Sequence, residues 1–179
     1  MTALCDLHNS RYAQAARGLL DIPISYFQGV TIVSPREICM IVGFCVLASF
    51  ERKDIKTVGS DFKPYLEYEP GMQRLLDLYL GNRYDEGVKL LKGLEGELKM
   101  DFHLGKCKGI EDLIVEKWIV QFLGPFGSVD MKGMARVFQV GVDEVEKKMV
   151  SLLEKGRIQG TLDVHSMVRI FLFYFEADL

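Results

Sequence analysis

The stretch that most constrains this chain runs from Ile38 to Phe50. It is nearly all apolar and is closed by Arg36–Glu37 on one side and Glu51–Arg52–Lys53 on the other. A membrane span needs about twenty such residues, and this run is too short. A helix apolar on nearly every face must be enclosed by other elements. The pattern therefore predicts a helix from Pro35 to Ser49 inside a helical stack. The composition can supply that stack, because 49 % of the 179 residues are hydrophobic and 26 % are charged. Such a balance excludes wholesale disorder.

A repeat organises the first part of the chain. Arg11–Tyr12 recurs as Arg83–Tyr84, each after an Asn-containing turn and each opening a helical pattern that ends in paired leucines, Leu19–Leu20 and Leu90–Leu91. Ser34–Pro35 and Glu69–Pro70 place proline at two further helix starts, where its missing N–H costs nothing. A period near 35 residues built from helix–turn–helix units points to tetratricopeptide-like repeats. The expected helices are the end of one over residues 1–7, then Tyr12–Leu20, Pro35–Ser49, Pro70–Leu80 and Arg83 to about Lys99. Gly87, Gly93 and Gly96 burden the last of these by about 1 kcal/mol each relative to alanine. Residues 1–109 form this helical-repeat part.

After Gly109 the texture changes. Helices are expected over Ile110–Phe122, from Ser128 through Phe138, and from Gly141 to Gly156. Two strands follow, Arg157–Asp163 and Met167–Phe175, joined by a turn at Val164–Ser166. Helix, helix, turn, helix, hairpin is the order of a winged helix, assigned to residues 110–179. The fold class is thus mainly α, with a small antiparallel β-sheet at the end. The last strand carries Phe171, Phe173 and Phe175 on one side and Ile170, Leu172 and Tyr174 on the other. Two apolar faces require cover on both sides, from the rest of the chain or from another subunit.

No constellation for catalysis stands out. Cys5, Cys39, Cys45 and Cys107 form no CxxC and read as reduced thiols. His103 and Cys107 could share a helix face, but a metal needs three or four ligands. Gly105–Lys106 lacks the rest of a phosphate loop, and His165–Ser166 fits a turn better than a base and its nucleophile. No cofactor and no metal are expected. Lys and Arg total 22 against 25 Asp and Glu, a net charge of −3 with a pI near 5.7. On the would-be recognition helix, Lys147, Lys148 and Lys155 face Asp143, Glu144, Glu146 and Glu154. Nucleic acid is a poor match for that balance. With no signal segment and no span, the cytoplasm and nucleus are the expected compartments and no membrane partner is expected.

Helical repeats running into a winged helix resemble the PCI domains. These are scaffold subunits of the proteasome lid, the COP-9 signalosome and translation initiation factor three. The string from Gly43 to Ile55 and the string from Asp61 to Pro70 resemble the signalosome's first-subunit branch. Residues Phe126 to Phe138 look like the family's helix–turn–helix entry, and Ile158 to Ser166 like its wing. The proteasome-lid paralogue shares the segment from Ala48 to Asp54 and is the alternative; a nucleic-acid-binding PCI module is the third reading. The resemblance implies a non-catalytic scaffold in a complex that removes a ubiquitin-like modifier from cullins. It implies other PCI-domain subunits as partners, with subunits two and three as neighbours. The contact residues expected on that basis are Arg157, Gln159, Thr161, Asp163, His165, Ser166, Val168, Ile170 and Leu172. Family members also carry a longer solenoid and a tail helix, so the chain is expected to be a trimmed or reduced subunit.

Overall fold

The computed structural model describes residues 2–27, 33–107, 109–163 and 169–173. The helices are α1 (Thr2–His8), α2 (Tyr12–Leu20), α3 (Pro35–Ser49), α4 (Arg52–Leu66), α5 (Pro70–Leu80), α6 (Tyr84–Met100), α7 (Ile110–Leu123), α8 (Met131–Phe138) and α9 (Val142–Glu154). Three strands, β1 (Ser128–Asp130), β2 (Gln159–Asp163) and β3 (Arg169–Phe173), and two short 3-10 helices, Ile24–Phe27 and Leu104–Lys106, complete the described elements.

Ser34 starts the central helix. Its hydroxyl accepts from the Glu37 amide at 3.2 Å, and the Glu37 carboxylate accepts from the Ser34 amide at 2.6 Å. This reciprocal capping box, with Pro35 in the first turn, satisfies two otherwise orphaned donors. All residues from Ile38 to Leu47 are buried, because α2, α4, α5 and α7 all pack against α3. The enclosed apolar helix expected from the sequence is thus present.

The two Arg–Tyr turns share one backbone geometry. Ser10 and Asn82 both take the left-handed region at φ 60°. Arg11 and Arg83 follow with φ, ψ of −89°, 63° and −91°, 66°. Their amides reach back to the carbonyls of Asp6 (2.8 Å) and Leu78 (2.9 Å), closing the preceding helix in each case. Tyr12 and Tyr84 are then both buried. The two proline-started helices also meet: the Arg36 guanidinium bridges Glu69 and Glu97, each at 2.6 Å, and Glu69 caps α5 through the Gly71 amide.

Three expectations need revision. A further helix, α4, follows α3 directly and contains Pro64. Ser128–Asp130, expected to open a helix, instead form β1, and the Asp130 carboxylate caps α8 from outside by accepting from the Gly133 amide at 2.9 Å. The hairpin is part of a three-stranded antiparallel sheet in the order β1-β3-β2, so β3 is central. The described part of the last strand is Arg169–Phe173.

One hydrophobic core extends from Ala3 to Ile158. Trp118 of α7 lies at its centre, stacked on Tyr79 (5.7 Å, 16°) and tilted against Tyr84. Tyr84 in turn meets Phe122 edge-on and Phe138. This aromatic chain couples α5 and α6 to α7 and α8. It also explains Gly87, since a Cβ there would come within 2.8 Å of the Trp118 ring.

Candidate partner-binding surface

Strand register determines which positions share a face, because directly opposed residues project to the same side. Ile170 is opposed by Val129 of β1 and Leu162 of β2, and Leu172 by Gly160. Val129 is half-buried and packs on the core, which identifies this as the inner face. Phe171 is opposed by Ser128 and Thr161, Phe173 by Gln159, and Arg169 by Asp130 and Asp163. Ser128, Asp130 and Gln159 are exposed, so this second row is the outer face.

The expected contact residues divide along these lines. Gln159, Thr161 and Asp163 lie on the outer face of β2, and Arg157 is exposed just before it. Ile170 and Leu172 lie on the inner face of the central strand. His165, Ser166 and Val168 lie outside the described residues. Among the described residues strand β2 has a ladder partner on one side only, so alternate residues direct N–H and C=O groups away from the described sheet. Phe171 and Phe173, which are not among the expected contact residues, take outer-face positions in this register. Alternation alone does not distinguish inner from outer when both rows are apolar; the partner strand β1 does.

Two of the three lysines of the would-be recognition helix are already paired. Lys148 donates to Asp112 at 2.9 Å, and Lys155 donates to both Glu116 oxygens at 2.9 and 3.0 Å. Both acids belong to α7, so these two lysines are neutralised by the helix packed behind them.

Three of the four thiols are buried, and Cys5 is exposed. Burial pushes the Cys39 thiol up to about 12 and raises those of Cys45 and Cys107, which disfavours the nucleophilic thiolate. Cys107 directs its sulfur toward the His103 and Leu7 carbonyls. The His103 ring stacks on His8 at 5.6 Å. Among the described residues no three His, Cys, Asp or Glu side chains are grouped to hold a metal ion. Among those residues, too, no helix is long and apolar enough to cross a membrane.

Comparison with known proteins shows what this part of the chain is similar to. The PCI domain family matches residues 92–171. COP9 signalosome complex subunit 1 of Arabidopsis thaliana is 30 % identical over 172 residues, which cover 93 % of this chain and 39 % of that protein. Subunit 1b of the same complex from Drosophila melanogaster is 26 % identical over 179 residues, covering 98 % of this chain and 34 % of the fly protein. The Caenorhabditis elegans subunit 1 is 24 % identical over 174 residues, covering 93 % and 29 %. The chain thus spans about a third of the length of these curated relatives. Over residues 92–171 it is similar to PCI domains and, across most of its length, to part of the COP9 signalosome subunit 1 proteins.

Proposed function

We propose that this chain is a non-catalytic scaffold subunit of a COP9 signalosome-type complex, the machinery that deconjugates a ubiquitin-like modifier from cullins. In this reading α8, α9 and the sheet are a winged helix on tetratricopeptide-like repeats, divided near residue 109. The winged helix joins the corresponding domains of other PCI subunits, with subunits two and three as neighbours, in the cytoplasm and nucleus.

The observation that carries the proposal is the similarity to subunit 1 proteins over most of the chain, combined with a sheet whose β2 edge has no strand partner among the described residues. A strand edge supplies N–H and C=O groups in fixed register, so pairing gives orientation as well as affinity. The outer-face row through Gln159, Thr161, Phe171 and Phe173 would lie against the same neighbour.

The test is co-purification with subunits two and three. Thr161→Asp and Phe173→Asp change outer-face positions and are expected to abolish it while far-UV circular dichroism stays unchanged. Ile170→Asp lies on the inner face and is expected to lower thermal stability first. Normal assembly by folded Thr161→Asp and Phe173→Asp proteins would refute the sheet as the contact.

A further inference from the structure

Where α4, α5 and α7 meet, four buried polar atoms have no hydrogen-bond partner among the described residues: Arg52 Nε, Tyr79 Oη, Trp118 Nε1 and Gln121 Oε1. Tyr79 and Trp118 are each 0 % exposed, so bulk solvent does not reach them. Buried polar groups in folded proteins are rarely left unpaired, and here four stand together.

All four belong to one neighbourhood around Tyr79. Its ring stacks on Trp118 at 5.7 Å, and the Arg52 guanidinium carbon lies 5.1 Å from the same ring. The Gln121 side chain is close enough to the Tyr79 hydroxyl to act on its pKa, yet forms no hydrogen bond with it. Trp118 and Gln121 are three residues apart on α7 and so share a helix face. Burial pushes the Tyr79 pKa up to about 12, so at neutral pH the group is a hydroxyl that both donates and accepts.

The chemistry of the set selects its ligand. Arg52 Nε and Trp118 Nε1 only donate, Gln121 Oε1 only accepts, and the Tyr79 hydroxyl does either. A water molecule accepts two hydrogen bonds and donates two, which matches these four atoms. An anion cannot donate and would leave the Gln121 oxygen unpaired.

We propose that Arg52, Tyr79, Trp118 and Gln121 bind one ordered water molecule. Arg52 and Tyr79 precede the residues that match the PCI family, and Trp118 and Gln121 lie within them. The water is thus a polar joint inside an aromatic contact, and its hydrogen bonds orient α7 against α4 and α5. The site uses no residue of the sheet and does not depend on the assembly proposed above.

Trp118 is the one tryptophan of the chain, so its indole N–H gives a single signal. Water–protein NOE and ROE spectra of the full chain, labelled with 15N-tryptophan, are expected to show indole–water cross-peaks of opposite sign, as a held water gives. In Tyr79→Phe the cross-peak is expected to persist, because three partners remain and the tyrosine hydroxyl is removed as an alternative source. In Gln121→Leu, which removes the acceptor, it is expected to be lost. A crystal structure of the unaltered protein is expected to show solvent density within hydrogen-bond distance of at least three of the four atoms. No cross-peak in the unaltered protein, its loss in folded Tyr79→Phe or its persistence in folded Gln121→Leu would overturn the proposal. So would a dry site with Gln121 bonded directly to Tyr79, or an indole shift that follows chloride concentration and marks an anion instead.

Discussion

The Lys117 ammonium donates to the Leu47 carbonyl at 3.0 Å, from inside α7 to the last turn of α3. The Phe50 carbonyl accepts from the same nitrogen, and the Tyr79 ring lies 5.5 Å away. A buried lysine thus closes the carbonyl end of the most enclosed helix, where the helix dipole is negative. Lys117 is 8 % exposed. Burial lowers its pKa from 10.5 to about 8, with Glu51 and Asp54 opposing the shift and Arg157 adding to it.

That shift has a defined sign. Between about pH 8 and 10.5 the unfolded chain keeps the Lys117 proton while the folded chain releases it. The contribution of this group to stability therefore rises with pH across that window and is flat below it. Urea melts of the protein and of Lys117→Met are expected to diverge by up to about 3 kcal/mol between the two ends. Parallel pH profiles would show that Lys117 titrates normally.

The glycines of α6 should separate by environment. At Gly87 a Cβ meets Trp118, whose ring is locked in the core, so Gly87→Ala is expected to cost about 1–3 kcal/mol. Gly93 and Gly96 face open space, so alanine at either is expected to add about 0.5–1 kcal/mol. Thermal melts of the three single variants check both directions at once.

Ser10 and Asn82 occupy the same left-handed position but are not equally suited to it. Asn tolerates this conformation, and the Asn82 side chain also accepts from the Tyr84 hydroxyl at 3.1 Å. Ser10→Gly is expected to stabilise by about 1 kcal/mol. Asn82→Ala is expected to destabilise by about the same amount. Denaturant midpoints at constant slope are the measurement.

Arg52 anchors the helix that was not anticipated. Its Nη2 donates to the Tyr79 carbonyl at 2.8 Å and to the Tyr84 hydroxyl at 2.7 Å, and its guanidinium lies over both rings. Lysine cannot reproduce a planar group that stacks and donates in two directions. Arg52→Lys is expected to cost about 1–3 kcal/mol in chemical unfolding, and a loss below about 0.5 kcal/mol would argue against the anchor.

The missed elements have particular causes. Helix α4 carries a readable stripe in Ile55, Val58, Phe62 and Tyr65, but Pro64 and the charged residues around it argue locally against a helix. It is held by tertiary bonds: the Tyr65 hydroxyl donates to the Leu19 carbonyl at 2.9 Å, and Arg52 holds its start. Strand β1 has only three residues, too few for alternation to register, and it exists because β3 pairs with it. The candidate contact surface was legible as a stretch of chain and not as a face. Its residues follow one another along the hairpin, whereas register divides the described ones between the inner and outer rows.

What the sequence by itself determined were the features written in neighbouring residues. These include the enclosed helix, its Ser34–Pro35 start, the two Arg–Tyr turns, the succession of three helices and two strands after Gly109 and the resemblance to PCI domains. Capping, periodicity and turn chemistry act over a few residues, so one chain segment carries the whole signal. Only the tertiary structure decided that β3 is central, that Lys148 and Lys155 are neutralised from α7, that Lys117 closes α3, and that Gly87 is required while Gly93 is not. Each of those depends on a partner distant in the sequence, such as Asp112 for Lys148 or Trp118 for Gly87, and no local pattern encodes which distant residue will be brought alongside.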